Sequence, residues 1–509
     1  MNRRGFIQIS SVAILPILVG IFSNFDKKKL KYTIKVQSNR KFGHILRHSI
    51  HTKPTTEVIT DYIIVGGGIA GISAAHALKD ERFLLFEGAP RLGGSSASES
   101  YKSTRFAMGA HYELAYPNSY GEDVLNLLTH LNVIRYNSEH ALHEFIDEQY
   151  LINPEHSEQS YVNDKIEDDV LANAKGLAEF KKCLLPFYGE MHLPSRLIDS
   201  KYHYLNAISF TDFLNSKFEL SADLEHRISY QMLDDWGGTC AEVSALAGIH
   251  YYTCRPYDTK DVQLFSAPFG NSYFAEKMIG DLPNLQALHT NTLVKKIVQT
   301  QTGVEAEVVD KEGKVTLVKA KGLVYAGQKH ALKYIFETEE QLFDNTYAPW
   351  VVLNIVCKKG IDFTKWQNDV LTEDLNFLGF VNSKQQHTRS KEFDTFTAYY
   401  CFKPEERQHL IDIEAHPDAF VAATIKLIED KTKTLIEDKV VHVNVNMMGH
   451  AMPIAKPNYL TLDNVPEHKN NIVFAGVDTG RLPLFFEACD SGLQAGKKII
   501  ENCNKPLNL

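Results

Sequence analysis

Apolar positions in this chain fall into short solid runs and helical stripes, and their order predicts strand–turn–helix–strand units. Tyr62–Val65 is an unbroken apolar run, as expected of a strand buried on both faces. A glycine-rich turn follows it. Ile69, Ile72, Ala75 and Leu78 then recur at helical spacing and mark the buried face of a helix. A second apolar run ends on Glu87. Far downstream, Asn471–Gly476 reads as another short strand. A turn through Arg481-Leu482-Pro483 opens a helix predicted from about Leu484 to Ile500, with Ser491-Gly492 inside it.

The turn at the first strand supplies the chemistry. Gly66, Gly68 and Gly71 form G-x-G-x-x-G. The first glycine makes the tight turn, the second lets backbone approach a pyrophosphate, and the third lets the helix pack on the strand. Ile69 and Ala70 open that helix, whose free N–H groups face the phosphates. Glu87 lies 21 residues after Gly66, where a carboxylate can hold both hydroxyls of an adenosine ribose, with Gly88 beside it. Strand, helix and acid together predict a bound dinucleotide.

Arg91-Leu92-Gly93-Gly94 follows shortly, and here the chain resembles the flavoprotein family of amine oxidases, phytoene desaturases and protoporphyrinogen oxidase. In that family R-x-G-G passes close to the FAD pyrophosphate, so the resemblance implies FAD. Residues 471–479 resemble the family's closing motif, a strand ending in A-G-x-[ED] that includes Gly476 and Asp478. The helix after it carries Gly492 and implies an N-terminus aimed at the flavin N1 edge, where a reduced flavin is anionic. Leu285–Val309 resembles the strand pair that lays a valine, here Val294, against the adenine. Lys321–Ala326 resembles the strand that returns into the sheet.

The resemblance implies an α/β fold: a split FAD-binding Rossmann-like domain of glutathione-reductase type with an inserted α+β substrate domain. This is the two-domain plan of p-hydroxybenzoate hydroxylase. Residues 57–115, 262–330 and 465–509 are assigned to the first domain, 116–261 and 331–464 to the second.

The same resemblance guides the choice of flavin-facing residues. Phe106–Pro117 comes where the family passes its chain beside the isoalloxazine. Gly109 and Ala110 would allow close approach, placing His111 and Tyr112 at the ring. Tyr230–Pro256 packs Asp234, Asp235 and Trp236 ahead of an apolar helix. It reads either as an acidic first turn followed by core aromatics, or as a substrate wall whose acids face a cation. Amine oxidases carry an arginine after the glycine pair, where this chain has Ser95. They also carry a lysine near flavin N5, and its place here falls at Leu353 or Asn354. An aromatic before the closing helix would be Phe485 or Phe486. His111, Asn354, Trp236 and Phe486 are the expected pocket residues.

Bulk properties add constraints. The chain has 509 residues, 44% of them hydrophobic, enough for two sizeable cores. A net charge of −9 gives no reason to expect nucleic acid. Seven scattered cysteines without a C-x-x-C read as buried small hydrophobes or free thiols, not metal ligands.

Asn2-Arg3-Arg4-Gly5-Phe6-Ile7-Gln8 resembles a twin-arginine export signal, and residues 5–25 carry no charge. That stretch is either a signal read by the export machinery or an inner-membrane anchor. Periplasmic location is expected, with residues 26–56 as a linker.

Ten acids against one lysine between Glu139 and Asp169 read as a solvated face, or as a rim that steers polycations. The chain is therefore expected to be an FAD-dependent oxidoreductase acting on a small molecule. Hydride would pass from a substrate C–H beside an amine, with dioxygen or a quinone reoxidising the flavin. An isoprenoid desaturase or isomerase, which would need a wide apolar tunnel, and a non-catalytic electron carrier are the alternatives.

Overall fold

The computed structural model describes residues 30–38, 40–47, 53–114, 117–163, 165–254, 264–336, 343–386, 392–462, 465–469 and 471–504. Tyr62–Val65 lies inside a six-stranded sheet. Its order is Leu288–His289, Phe83–Phe86, Tyr62–Val65, Gly322–Tyr325, Ile472–Phe474, Glu467–His468. The first five strands are parallel and the last is antiparallel. The sheet thus draws on three separated stretches of chain.

Its strands show no alternation because both faces are covered. Ile64, Leu85, Val324 and Val473 pack beneath the helices Ile69–Ala77 and Phe485–Asn504. Ile63, Val65, Leu323 and Phe474 pack instead against Val294, Ile297, Ala306 and Val318. Those residues belong to an antiparallel meander of Thr292–Gln299, Val304–Asp310 and Val315–Ala320.

The second domain is built on an eight-stranded sheet. Its order is Thr33–Gln37, Val440–Pro453, Tyr347–Lys358, Phe393–Cys401, Phe377–Asn382, Gln367–Val370, Glu158–Val162, Lys165–Glu167. On one face Val351, Leu353, Ile355 and Val443 bury against Phe420, Val421, Ile425 and Ile428 of the helix Pro417–Thr432. The other face looks toward helices between residues 210 and 253 and toward the nucleotide domain.

Three expectations change. Residues 26–56 are not simply a linker, because Thr33–Gln37 pairs in parallel with His442–Asn446 at the sheet edge, and Thr56 opens a strand beside Thr316–Lys319. The helix Glu122–His130, assigned to the substrate domain, shares its core with Ile69, Ile72, Phe485 and Leu493 of the nucleotide domain. None of the described acids of the run lines the cavity. Glu144 and Glu148 pair with Arg135, Glu167 with Arg227, and Asp147 accepts from Tyr273.

The seven cysteines are free thiols. No helix among the described residues is long and apolar enough to cross a membrane, and the charge-free stretch 5–25 lies outside the described residues.

Candidate active site

The glycine turn is shaped by sterics at each position. Gly66 has φ +100°, and a Cβ there would lie 2.8 Å from the backbone of Ala326 and Gly327. A Cβ on Gly71 would lie 1.9 Å from the Gly66 carbonyl oxygen, so the helix can seat on the turn only without a side chain. Gly68 caps the helix and forms a parallel bridge with Gly93. Gly94 approaches so closely that a Cβ on it would lie 3.2 Å from the Gly68 Cα. Two glycine segments therefore run side by side at a helix N-terminus, leaving a cradle of bare backbone that fits a dinucleotide pyrophosphate.

Glu87 braces this cradle. Its Oε2 accepts from Gly67 N and its Oε1 from Ala89 N, both at 2.6 Å. Burial raises the carboxyl's pKa, and the two backbone N–H groups oppose that shift. Gly88 lets the chain pass close to the end of the Leu293 side chain, 2.5 Å from where a Cβ would lie, at the start of the strand that carries buried Val294.

Arg91 turns away from the cradle. Its guanidinium donates to Ser98 O and Glu99 Oε2, and so holds the hairpin of Ser98–Tyr101 and Thr104–Ala107. The chain leaving that hairpin crosses Ser95. Ala110 N donates to Ser95 O at 2.9 Å, and a Cβ on Gly109 would lie 2.6 Å from the same oxygen.

From this crossing a cavity of about 300 Å³ opens between the domains. Gly68, Ile69, Gly93, Ser95, Gly109, Ala110 and His111 line the end at the glycine segments. Asp234, Asp235, Trp236 and Tyr251 form a wall, and Trp350, Val352, Tyr399, Leu378 and Asp369 form the sheet side. Glu113, Asp234, Asp235 and Asp369 are four carboxyl groups in a lining that, among the described residues, contains no lysine or arginine.

His111 is buried, and its Nδ1 lies 2.5 Å from Tyr399 Oη. Loss of water holds its pKa down to about 4, so the imidazole is neutral near pH 7. Its backbone is fixed by Ser266 Oγ, which donates to His111 O at 2.7 Å and accepts from Gln386.

The acids of the wall sit in the last turn of the helix Ala222–Trp236, which Gly237 ends at φ +68°, and not in a first turn. Ser244 caps the apolar helix that follows.

Several expected site residues lie elsewhere. Asn354 is not in the cavity lining; its side chain donates to Ala107 O at 2.8 Å and to Thr397, and Val352, two residues earlier on the same strand face, takes the lining position. Phe486 is fully buried against Tyr120 and Phe274, while Phe485 lines the cavity. Gly492 serves helix packing, since a Cβ there would lie 2.1 Å from Ala70 O. Ala70 faces the same contact.

Asp478 is turned into the core. Its carboxylate accepts from Lys329 N at 2.8 Å, Lys329 Nζ at 3.0 Å and Tyr347 Oη at 2.9 Å. Gly476 (φ +117°) starts that turn, and Val477 reaches the cavity in place of Asp478. Tyr399 and Asp369 were not foreseen. Tyr399 sits on a strand buried along both faces and Asp369 in the short polar strand Gln367–Val370, so neither shows an alternation that would separate cavity side from core side.

Comparison with known proteins agrees with this architecture. The family model described as an NAD(P)-binding Rossmann-like domain matches residues 64–131. A search of curated proteins returns no match. Putrescine oxidase bound to putrescine superposes with a TM-score of 0.61 at 13% identity, over 87% of this chain and 100% of that one. Cyclohexylamine oxidase from Brevibacterium oxydans IH-35A gives 0.58 at 14% identity, over 87% and 98%. A protein provisionally assigned as a protoporphyrinogen oxidase, from Exiguobacterium sp. 255-15, gives 0.59 at 13% identity, over 88% and 100%. The chain therefore has the two-domain fold of these oxidases: a Rossmann-like nucleotide domain carrying an inserted α+β domain.

Proposed function

We propose that this chain is an exported FAD-dependent oxidoreductase that oxidises a small cationic amine. One observation carries the substrate class: the cavity runs from the glycine cradle to Asp234 and Asp235 and, among the described residues, its lining has four carboxyl groups and no lysine or arginine. Such a lining favours a positively charged guest and disfavours an anion.

Bound FAD would supply the hydride acceptor. The protein's own groups hold and orient. Backbone of Gly68, Gly93 and Gly94 takes the pyrophosphate, and Glu87 keeps the turn closed. The first turn of Phe485–Asn504 borders the cavity through Phe485 and Ala488, which supports its role beside the reduced, anionic ring edge. Trp236, Trp350 and Tyr399 exclude water around the reacting carbon. His111, held neutral, does not repel a cation entering beside it.

Anaerobic titration of the yellow holoprotein with an amine panel tests the reading. The expected result is bleaching of the main visible flavin band, with Asp234→Asn and Asp235→Asn raising the amine concentration needed by about 10-fold or more. Indifference to every amine, or bleaching by isoprenoids alone, would overturn it. We also place the protein in the periplasm, with dioxygen or a quinone as acceptor. Replacing Arg3 and Arg4 by lysine should retain it in the cytoplasm on fractionation; unchanged export would remove the twin-arginine assignment.

A further inference from the structure

Val352, Tyr399, Leu378 and Asp369 form one row straight across the substrate sheet on its cavity side. Val352 pairs with Tyr399 in register. Tyr399 faces an irregularity in the next strand, between the pairs Tyr400–Phe377 and Ala398–Phe380, which contains Leu378 and Gly379. Asn368 pairs with Phe380, so Asp369 lies beside the same irregularity, and Ser160 pairs with Asp369 beyond it. Adjacent strands are about 4.8 Å apart, which puts Asp369 roughly 10 Å from Tyr399 and the histidine that Tyr399 holds.

Asp369 is 6% exposed and lies in the cavity wall. Its Oδ1 accepts from Gln367 Nε2 at 3.0 Å and Tyr230 Oη at 3.3 Å, and its Oδ2 from Ser160 Oγ at 3.3 Å. All three donors are neutral. They orient the carboxyl but do not balance its charge, and burial pushes its pKa up to about 6. Nothing in the oxidation of a simple amine uses this group.

Resting on the amine reading above, we propose that Asp369 is a specificity-determining residue. It binds a second cationic group of the substrate, about 10 Å from the reacting end beside His111. The site thereby selects extended, doubly charged amines over monoamines of equal length. A second cation would give the buried carboxylate the partner that its neutral donors do not provide.

Guanidinium probes separate binding from turnover. FAD-loaded protein is titrated with α,ω-diguanidinoalkanes of increasing length and with monoguanidinoalkanes to match, following the perturbation of the flavin band. The wild type is expected to bind the best double probe about 10- to 100-fold more tightly than its single counterpart. Asp369→Asn should bring that ratio close to one. Asp369→Glu should keep the ratio and shorten the preferred probe by about one carbon, since its carboxyl reaches one carbon further.

Equal binding of single and double probes to the wild type would overturn the proposal, as would an unchanged ratio in Asp369→Asn. If the asparagine variant does not fold, an unshifted length optimum in the glutamate variant overturns it. Primary amines that bleach the flavin while the probe ratio ignores Asp369 would sink this subsite and leave amine oxidation standing. Probes that depend on Asp369 while no amine bleaches the flavin would do the reverse.

Discussion

Tyr399 and His111 join the two domains: the phenol oxygen lies 2.5 Å from imidazole Nδ1, and the rings meet edge to face. Tyr399 belongs to the substrate sheet, while His111 follows the chain that crosses Ser95 at the glycine cradle. This hydrogen bond helps set the spacing between cofactor side and substrate side, beside those of Asn354 to Ala107 O and Gln386 to Ser266 Oγ. Tyr399→Phe should leave FAD content unchanged and slow anaerobic flavin reduction about 2- to 10-fold, read by stopped-flow absorbance. An unchanged rate would show that the spacing is set elsewhere.

Glu87 acts on the cradle through Gly67 and Ala89. Glu87→Ala removes both acceptors and leaves two backbone N–H groups to find water. FAD retained through gel filtration, measured as the ratio of flavin to protein absorbance, should fall, with affinity lower by about 10-fold or more.

Gly492 lets the closing helix touch the glycine helix at Ala70. A methyl group there meets backbone, which cannot swing aside. Gly492→Ala should cost about 1–3 kcal/mol in denaturant unfolding, whereas Gly280→Ala, with nothing within 4 Å of the added carbon, should cost none.

Lys329 is buried with its ammonium on Asp478, Gly327 O and Ala475 O. Lys329→Met strands a buried carboxylate and should cost about 3–5 kcal/mol. Pairing it with Asp478→Leu should recover most of that loss, which a double-mutant cycle in urea would measure.

Stability should fall in mild acid for an identifiable reason. Burial holds His111 and His330 down to about 4, and His450 to about 3. The unfolded chain takes up these protons near pH 6.5 and the native state does not, so stability is lost as pH drops from about 6.5 toward 4. Asp369 and Glu487, raised to about 6, bind protons first in the native state and oppose this below pH 6. His330 and His450 stack at 3.7 Å. The melting-temperature deficit of His450→Gln should therefore be largest near pH 7.5 and close toward pH 5 in scanning fluorimetry.

What was legible in the sequence was local. The cradle, its helix and the split sheet were readable because glycine spacing and solid apolar runs report short-range geometry. Side-chain direction was less accessible. Asn354 and Val352 share a strand face, so parity alone could not say which reaches the cavity. Phe485 and Phe486 differ by one helical step, and both positions are buried. The lysine that captures Asp478 lies 149 residues away, beyond any periodic signal. At Asp234 and Asp235, Gly237-Gly238 is a helix-stop pattern that would have placed the acids in a last turn.

Thr33–Gln37 lies parallel to His442–Asn446 at the sheet edge, with five successive residues in register. In that geometry a pull on the chain upstream is shared across the rungs in shear and does not peel them one at a time. Whatever the N-terminal residues are fastened to, load from that attachment enters the substrate domain first. The glycine cradle receives it through the interdomain contacts and through the chain itself, which runs on past Leu46 to the strand Thr56–Ile59 of the nucleotide domain. The edge strand is thus a mechanical coupling between the chain upstream and the substrate sheet.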